Sequence, residues 1–169
     1  MKVLVISDSH GNWHNVEGVI EQVGEIDMLI HCGDVENDED YIRALVDCPV
    51  HIVSGNCDYG YDLPATDTFM VGNYTVMACH GHSFYVHGST KYLKEYAREN
   101  GIDVVMFGHT HRPYIEIEED VVVLNPGSIS YPRQEDRRQT FLIMEIDEMG
   151  DAHFAHGVYD PFDAFERDK

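Results

Sequence analysis

The sequence predicts an α/β fold built on two sheets, and two observations support this. In the first half of the 169-residue chain, short apolar strand candidates alternate with helix candidates, which is the pattern of β-α-β units and of a largely buried parallel sheet. In the second half, strand candidates follow one another closely, as they do in hairpins. We therefore expect two mixed sheets packed on each other, with helices on the outer faces.

The elements of the first half are recognised by their apolar runs and by the helical spacing between them. The helix candidates lie between strand candidates at every step, so consecutive strands are expected to run parallel. In chain order the prediction is a strand at residues 2–7, a helix at 12–23, a strand at 27–32, a helix at 38–46 and a strand at 50–54.

The second half contains a single helix candidate among strands. This helix, residues 90–99, ends before Asn100-Gly101, a good C-terminal stop. The predicted strands are 68–71, 74–79, 103–107, 114–118, 121–124, 140–146 and 152–158.

Length and cysteine usage bound the class of protein. A chain of this size builds its own core, and no repeat or linker divides it, so we expect one domain over residues 1–169. The four cysteines lack paired zinc-type spacing, and three lie in or beside apolar strands, so we interpret them as free thiols. Without a leader or a membrane-length apolar run, the predicted location is the cytoplasm, with no membrane partner.

The charge balance is strongly acidic. Asp and Glu number 31 against 11 Lys and Arg, a formal net charge of −20. Such a surface repels polyanions, which argues against duplex nucleic acid as a ligand. The surplus is spread along the chain and lysine is scarce, a combination that resembles proteins of salt-loaded cytoplasm, so we hypothesise a halophilic source.

Polar side chains of the metal-binding type follow five of the predicted strands. Each has an ordinary alternative: an Asp after a strand caps the next helix, Gly-Asn forms turns, and a lone His is usually structural. Their recurrence at successive strand ends favours one shared crevice. The residues are Asp8, His10, Asp34, Asn56, His80, His109 and His111.

The composition of this set indicates which ions would bind. Carboxylate and imidazole ligands without thiolates suit Mn, Fe, Zn, Ni or Co, and a bridging carboxylate can hold two ions about 3.5 to 4 Å apart. The sequence therefore predicts a site for two divalent metal ions, with Mn favoured and Ni, Co, Zn, Fe or Mg as alternatives.

These motifs resemble those of the calcineurin-like metallophosphoesterases, and within them the small prokaryotic YfcE-type phosphodiesterases. The resemblance covers residues 1 to about 130 and implies a four-layer αββα sandwich. It implies hydrolysis of P–O ester bonds in a small-molecule phosphate diester, by a hydroxide that bridges the two ions. The matching motifs are Asp8-Ser9-His10-Gly11, Gly33-Asp34, Gly55-Asn56-Cys57-Asp58, His80-Gly81-His82, Gly108-His109-Thr110-His111 and Asn125-Pro126-Gly127-Ser128.

The resemblance also implies how the ligands divide. It implies that Asp34 bridges the two ions. It assigns Asp8, His10 and His111 to the first metal and Asn56, His80 and His109 to the second. Asn56 is a neutral ligand, which keeps the site cationic.

Cys57 and His82 are further candidates for catalytic roles. Many calcineurin-like phosphatases carry His where this chain has Cys57, and a thiol is a poorer proton donor than an imidazolium. We therefore expect esters with acidic leaving groups to react faster than alkyl esters. His82 is a candidate phosphate contact, and its alternative is an ordinary loop residue.

Other functions and assemblies stay open at this point. The fold is compatible with a non-catalytic interaction scaffold, and the same ligands serve phosphomonoesterases and nucleases. A homodimer or homotetramer is expected from exposed sheet edges. Arg112 is interpreted as a surface or hairpin residue, and the basic cluster of Arg133, Arg137 and Arg138 as a solvated loop.

The acidic composition predicts that salt stabilises the protein. In roughly molar salt the screening length falls to about 3 Å, so repulsion among the surface carboxylates is largely removed. We expect the melting temperature to rise between low salt and molar KCl, as measured by calorimetry at constant pH. A melting temperature that stays constant or falls contradicts the halophilic hypothesis.

Overall fold

The computed structural model describes residues 1–60 and 62–160 as an α/β fold. Within that part the strands form two mixed sheets of five strands each. The end of the predicted domain, residues 161–169, lies outside the described residues. The elements follow the predicted order along the chain.

The first sheet combines parallel and antiparallel strands. β1 pairs in parallel with β2 and β2 with β3, whereas β9 lies antiparallel to both β1 and β10. In spatial order the strands are β10 (Ala152–Tyr159), β9 (Gln139–Ile146), β1 (Lys2–Ile6), β2 (Met28–His31) and β3 (Val50–Ile52).

The second sheet has the same mixed character. β5 pairs in parallel with β6 and β6 with β8, and an antiparallel strand closes each edge. In spatial order the strands are β4 (Thr66–Val71), β5 (Tyr74–Cys79), β6 (Val104–Met106), β8 (Val122–Pro126) and β7 (Pro113–Ile117).

The helices lie on the outer faces of the two sheets. α1 (Trp13–Val23) and α2 (Glu39–Ala44) pack on the first sheet, and α3 (Lys91–Glu99) packs on the second. Gly18 allows α1 to approach β10, because a Cβ there would lie 2.2 Å from the Tyr159 hydroxyl oxygen. A short 3₁₀-helix, His82–Phe84, follows β5 and is absent from the sequence prediction.

Three apolar clusters separate four layers of secondary structure. One lies between the two sheets and includes Val5, Ile30 and Met106. A second, around Leu4 and Leu29, joins the first sheet to its helices, and a third joins the second sheet to α3. The central strands are apolar on both faces because each face is covered, and the predicted αββα sandwich is confirmed.

The chain returns to its first sheet near the end. We expected the strand-rich second half to build the second sheet, which holds for β7 and β8 but not for β9 and β10. These two strands form a hairpin that pairs with β1 instead. Alternating apolar patterns mark strands but carry no information about which sheet edge they join.

The described helices are all too short or too polar to cross a membrane.

Candidate metal centre

Five strands deliver the predicted ligands to one place, and they come from both sheets. The sequence reasoning placed the strand ends along a single sheet edge, whereas the structure joins the edges of two sheets. Asp8 and His10 follow β1, Asp34 follows β2, Asn56 follows β3, His80 follows β5, and His109 and His111 follow β6.

A first group of four ligands is compact and mostly buried. One ligand atom from each of Asp8, His10, Asp34 and His111 lies within 4.8 Å of the others. The Nε2 atoms of His10 and His111 are 3.3 Å apart. His111 Nε2 lies 3.0 Å from Asp8 Oδ1, and His10 Nε2 lies 3.8 Å from Asp34 Oδ2.

A second group surrounds His80, whose ring is fully buried. Its Nε2 atom lies 3.1 Å from Asn56 Oδ1 and 3.4 Å from Asp34 Oδ2. The ring of His109 contacts that of His80, with centroids 5.1 Å apart. Asp34 Oδ2 therefore faces a histidine of each group, which is the position of a bridging carboxylate.

Three of the histidines are oriented by acceptors on the other ring nitrogen. Nδ1 of His10 donates to Glu36 Oε1 at 2.7 Å. Nδ1 of His111 donates to the Tyr131 carbonyl oxygen at 2.7 Å, and Nδ1 of His80 to that of Cys32 at 2.8 Å. Because Nδ1 carries the proton, each Nε2 presents its lone pair towards the site, as in metal-bound histidines.

The donor set fits divalent cations. The lone pairs of His10 and His111 face each other, and the buried Asp8 Oδ1 has no hydrogen-bond partner. Without a cation, the facing lone pairs repel each other and the Asp8 oxygen lacks a partner. Ligand atoms about 2.1 Å from one ion lie about 3.0 to 3.4 Å apart, which matches the separations of 3.0 and 3.3 Å observed in the first group.

The ligands sit on strained backbone. Nine non-glycine residues of the described chain have positive φ, and five of them are predicted ligands. Such conformations cost about 1 to 3 kcal/mol each and cluster at functional sites. The five are Asp8 (φ 54°), His10 (48°), Asp34 (56°), His109 (66°) and His111 (56°).

Glycines in the motifs allow the loops to meet. A Cβ at Gly55 would lie 2.0 Å from Asp34 Oδ1 and 2.5 Å from the Asp34 nitrogen. A Cβ at Gly108 would lie 2.0 Å from Ser7 Oγ and 2.7 Å from Asp8 Oδ2. Any side chain at either position would therefore displace a candidate bridging or binding carboxylate.

Buried polar residues outside the ligand set hold the loops together. Asp58 accepts hydrogen bonds from the backbone N–H groups of Val35, Glu36 and Gly55 at 2.7 to 2.9 Å. Ser128 Oγ donates to the Asp8 carbonyl oxygen at 2.8 Å. Both residues stand inside the motifs noted in the sequence, but sequence reasoning gave them no role.

The electrostatic environment keeps Asp34 ionised and His109 neutral. Burial opposes ionisation of Asp34, but the neighbouring His80 ring and a hydrogen bond from the Cys57 backbone hold the pKa of that carboxyl well below its usual range. Burial and the neighbouring His80 lower the pKa of His109 to about 4. These are the protonation states that metal ligands require.

Cys57 lies at the exposed rim beside Asp34. Its backbone N–H donates to Asp34 Oδ1 at 2.8 Å. Partial burial of the thiol and the nearby carboxylate of Asp34 raise the pKa of Cys57 to about 12. The thiol is therefore an even weaker proton donor than an ordinary cysteine at neutral pH.

Two exposed histidines line the second group from outside. The ring of His82 lies 5.5 Å from that of His80 and 6.1 Å from that of His109. The ring of His87 lies closer, 4.5 Å from that of His109. Sequence reasoning missed His87, because nothing in its spacing from the motif His80-Gly81-His82 indicates that the loop folds back.

A different set of possible ligands involves His10, Glu36 and Cys57, whose atoms also lie within 4.8 Å of one another. In this set Glu36 already accepts the proton of His10 Nδ1. We interpret Glu36 as the carboxylate that orients His10 rather than as a ligand.

Comparison with known proteins agrees with the fold and the ligand chemistry. Residues 1–149 match the model of the calcineurin-like phosphoesterase superfamily domain. The protein has the metallophosphoesterase fold. The chain belongs to the calcineurin-like phosphoesterase superfamily.

Relatives in archaea and bacteria cover most of the chain. A probable metallophosphoesterase of Methanocaldococcus jannaschii is 35% identical over 137 residues, which are 79% of this chain and 70% of that protein. The probable metallophosphoesterase YsnB of Bacillus subtilis is 33% identical, covering 87% of this chain and 85% of its own.

Solved structures share the architecture. A conserved protein of Streptococcus pneumoniae, described as a predicted phosphoesterase, superposes with a TM-score of 0.77 at 27% identity and covers 93% of this chain and 97% of its own. Vps29 of Entamoeba histolytica, solved in complex with zinc, has a TM-score of 0.72 at 22% identity. The match covers 95% of this chain and 100% of that one. The second likeness supports the fold alone.

The orientation of His10 predicts an effect of Glu36 on metal affinity. Removal of the Glu36 carboxylate in Glu36→Ala frees the His10 ring, and loss of such partners typically weakens metal binding about 10- to 100-fold. Calorimetric titration of chelator-treated protein with Mn²⁺ should show this weakening, and Glu36→Gln, which keeps an oxygen acceptor, should recover part of it. Glu119→Ala, at an exposed carboxylate, is the control; equal affinities for Glu36→Ala and this control would contradict the assignment.

Proposed function

We propose that this protein is a metal-dependent phosphodiesterase that hydrolyses a P–O bond of a small-molecule phosphate diester, with residues 1–169 acting as one domain. The observation that carries the proposal is the position of Asp34, whose Oδ2 faces His10 at 3.8 Å and His80 at 3.4 Å. A carboxylate shared by two groups of ligands is what a two-ion site needs.

Seven residues would hold the ions, in the division that the family resemblance implies. Asp34 is shared between the two groups. When bound, two divalent ions lower the pKa of a shared water and neutralise the phosphoryl oxygens. We favour Mn²⁺, although oxygen and imidazole ligands also accept Ni, Co, Zn, Fe or Mg. The first group supplies Asp8, His10 and His111, and the second supplies Asn56, His80 and His109.

Two bound ions would make the site cationic in a strongly acidic protein, because the ligand set carries little negative charge. Among the seven ligands only Asp8 and Asp34 carry negative charge, and the amide of Asn56 adds none. Two divalent ions would leave a local charge of about +2. The site would therefore attract a phosphate diester despite the net charge of −20 on the chain.

The residues around the site limit the leaving group. Cys57 is exposed at the rim where a proton donor would stand, and a thiol is a weak general acid near neutral pH. The leaving group of the substrate should therefore be an acidic alcohol or phenol, which needs little protonation. His82 and His87 reach the open side of His109 with their rings and can donate hydrogen bonds to phosphate oxygens.

An interaction scaffold on the same fold is the second candidate function. It is favoured by the likeness to Vps29, one structure of which is a complex with a cyclic peptide. The complete set of oriented ligands supports the enzyme, because a scaffold has no need for strained backbone at five ligand residues.

The setting of the protein is also a proposal. The four cysteines are free thiols, which is typical of a reducing compartment, and we propose the cytoplasm of a salt-accumulating prokaryote. Antiparallel edge strands of both sheets are available for pairing between copies, so a homodimer or homotetramer stays a prediction.

Metal dependence tests the function directly. We expect chelator-treated protein to be inactive towards bis(4-nitrophenyl) phosphate and to regain activity when Mn, Ni, Co, Zn or Mg is supplied singly. Asp34→Asn and His109→Ala should each lower kcat by at least about 100-fold, because each loses a ligand of a two-ion site. Release of nitrophenolate is the measurement.

Three outcomes would overturn the mechanism: activity that survives chelation, or full activity in either variant. Calorimetric titration with Mn²⁺ should show two bound ions in the wild type. The same titration of each variant shows whether it still binds metal, and its circular dichroism shows whether it is still folded. The monoester 4-nitrophenyl phosphate, assayed in parallel, distinguishes a phosphodiesterase from a phosphomonoesterase.

The thiol at position 57 predicts a dependence on the leaving group. Cys57→His places an imidazole at the rim, and general acid catalysis typically contributes about 10²- to 10⁴-fold. We expect kcat to rise for diesters with alkyl leaving groups and to change little for nitrophenyl esters. A variant with unchanged rates for every ester would remove Cys57 from the mechanism.

A further inference from the structure

A second cavity adjoins the metal centre. It has a volume of about 470 Å³, and its walls include Phe107, Tyr114 and the loop of residues 86–90. Arg112 and Arg133 also line it. The cavity is therefore a partly aromatic pocket with two positive charges.

The cavity and the metal centre share residues and backbone. His87 lines the cavity, and its ring lies 4.5 Å from that of the ligand His109. Thr110, another lining residue, stands between His109 and His111 in sequence. The backbone N–H of Arg133 donates to the His111 carbonyl oxygen at 3.0 Å. A molecule held at the ions would thus find this cavity directly beside it.

Among the described residues, Arg112 and Arg133 have no carboxylate partner, although the chain is rich in carboxylates. Over residues 1–60 and 62–160, neither Arg112 nor Arg133 forms an ion pair. Of the other cations in residues 1–60 and 62–160, Lys91, Lys94 and Arg98 are each paired with Glu or Asp, whereas Lys2, Arg43, Arg137 and Arg138 form no ion pair there. In a protein with 31 acidic residues, two arginines that line one cavity and pair with no described carboxylate are available to an anionic ligand.

Glu116, an acidic residue hydrogen-bonded to two residues that line the cavity, is already paired with a cation. Glu116 accepts hydrogen bonds from Lys94 at 2.9 Å and from the Tyr114 hydroxyl at 2.9 Å. It also accepts one from Thr90 at 2.8 Å. Its charge is therefore balanced by Lys94, and the cavity keeps the positive charge of the arginines.

We propose that this cavity binds an ester arm of the substrate that ends in a second phosphate group, held by Arg112 and Arg133. The inference rests on the proposed function, because it takes the scissile phosphate to lie at the two metal ions. Guanidinium groups bind phosphate by paired, charge-assisted hydrogen bonds. The substrate class is thus a phosphodiester with an additional phosphate at the end of one arm.

Matched substrates test the cavity. Mn²⁺-loaded enzyme is assayed with 4-nitrophenyl propyl phosphate and with the same diester carrying a phosphate at the end of the propyl arm. We expect kcat/KM to be at least about tenfold higher for the phosphorylated arm, as charge-assisted hydrogen bonds allow. In Arg112→Gln/Arg133→Gln this preference should fall to about twofold or less.

A control variant separates the cavity from general electrostatics. Lys2→Gln/Arg43→Gln likewise removes two positive charges, at residues that do not line this cavity, and should keep the preference. Absence of the preference in the wild type, or its equal loss in both double variants, overturns the proposal.

A binding measurement keeps the inference separate from catalysis. Calorimetric titration with propane-1,3-diyl bisphosphate and with propyl phosphate should show the same preference and the same dependence on Arg112 and Arg133. If no diester is hydrolysed but the bisphosphate preference survives, the proposed function fails and the cavity stands. If diesters are hydrolysed without any preference, the cavity fails and the function stands.

Discussion

The carboxylate of Asp34 is the constraint on which the rest of the site depends. It must face His10 on one side and His80 on the other, and these histidines come from different sheets. Such a position is reached only where β2 and β5 end close together, which requires the two sheets to pack face to face. The apolar cluster between the sheets therefore also sets the distance between the two groups of ligands. The Cys57 N–H, which donates to the other oxygen of Asp34, fixes the remaining rotation of the carboxylate.

The site concentrates unfavourable features that the surrounding structure has to stabilise. Left-handed backbone at ligand residues, opposed imidazole lone pairs and an unpartnered oxygen of Asp8 all oppose folding in the absence of cations. The hydrogen bonds of Asp58 and Ser128 hold the loops in this arrangement. Because the ligands are already oriented, little conformational entropy is lost when ions bind. The arrangement is therefore preorganised for cations, at the expense of the stability of the apo protein.

The sequence predicted the order of elements and the candidate ligands that follow the strands, because both patterns are local; that these residues bind metal stays a prediction. Apolar runs mark strands, and the polar residues directly after them must lie at strand ends. The partners of the histidine Nδ1 atoms were not predicted. Two of these partners are backbone carbonyl oxygens, of Cys32 and Tyr131, and every residue has one. The return of β9 and β10 to the first sheet was also missed, because edge pairing depends on the packing of the whole domain.

The arginine cavity shows the same limit of local reasoning. Arg112 follows a candidate ligand in sequence, and the alternation of side chains along an extended segment indicated a surface position. Exposure is indeed what the structure shows, but the loop of residues 86–90 lines the same cavity as Arg112, which makes that surface one wall of a pocket. The contact between His87 and His109 that brings the loop there spans 22 residues of sequence.

The distribution of charge reconciles an acidic protein with an anionic substrate. Repulsion from a net charge of −20 acts over the screening length, which is about 10 Å at 0.1 M salt and about 3 Å at 1 M. Contacts with bound ions and with Arg112 and Arg133 would act at hydrogen-bond distance and in a partly desolvated pocket, where salt would screen them less. High salt would thus remove the long-range barrier to an approaching phosphate ester while leaving the short-range attraction. In a salt-rich cytoplasm, an acidic surface and a cationic site would therefore be compatible. The repulsion by the surface acts at long range and is screened, whereas the attraction by the site acts at short range.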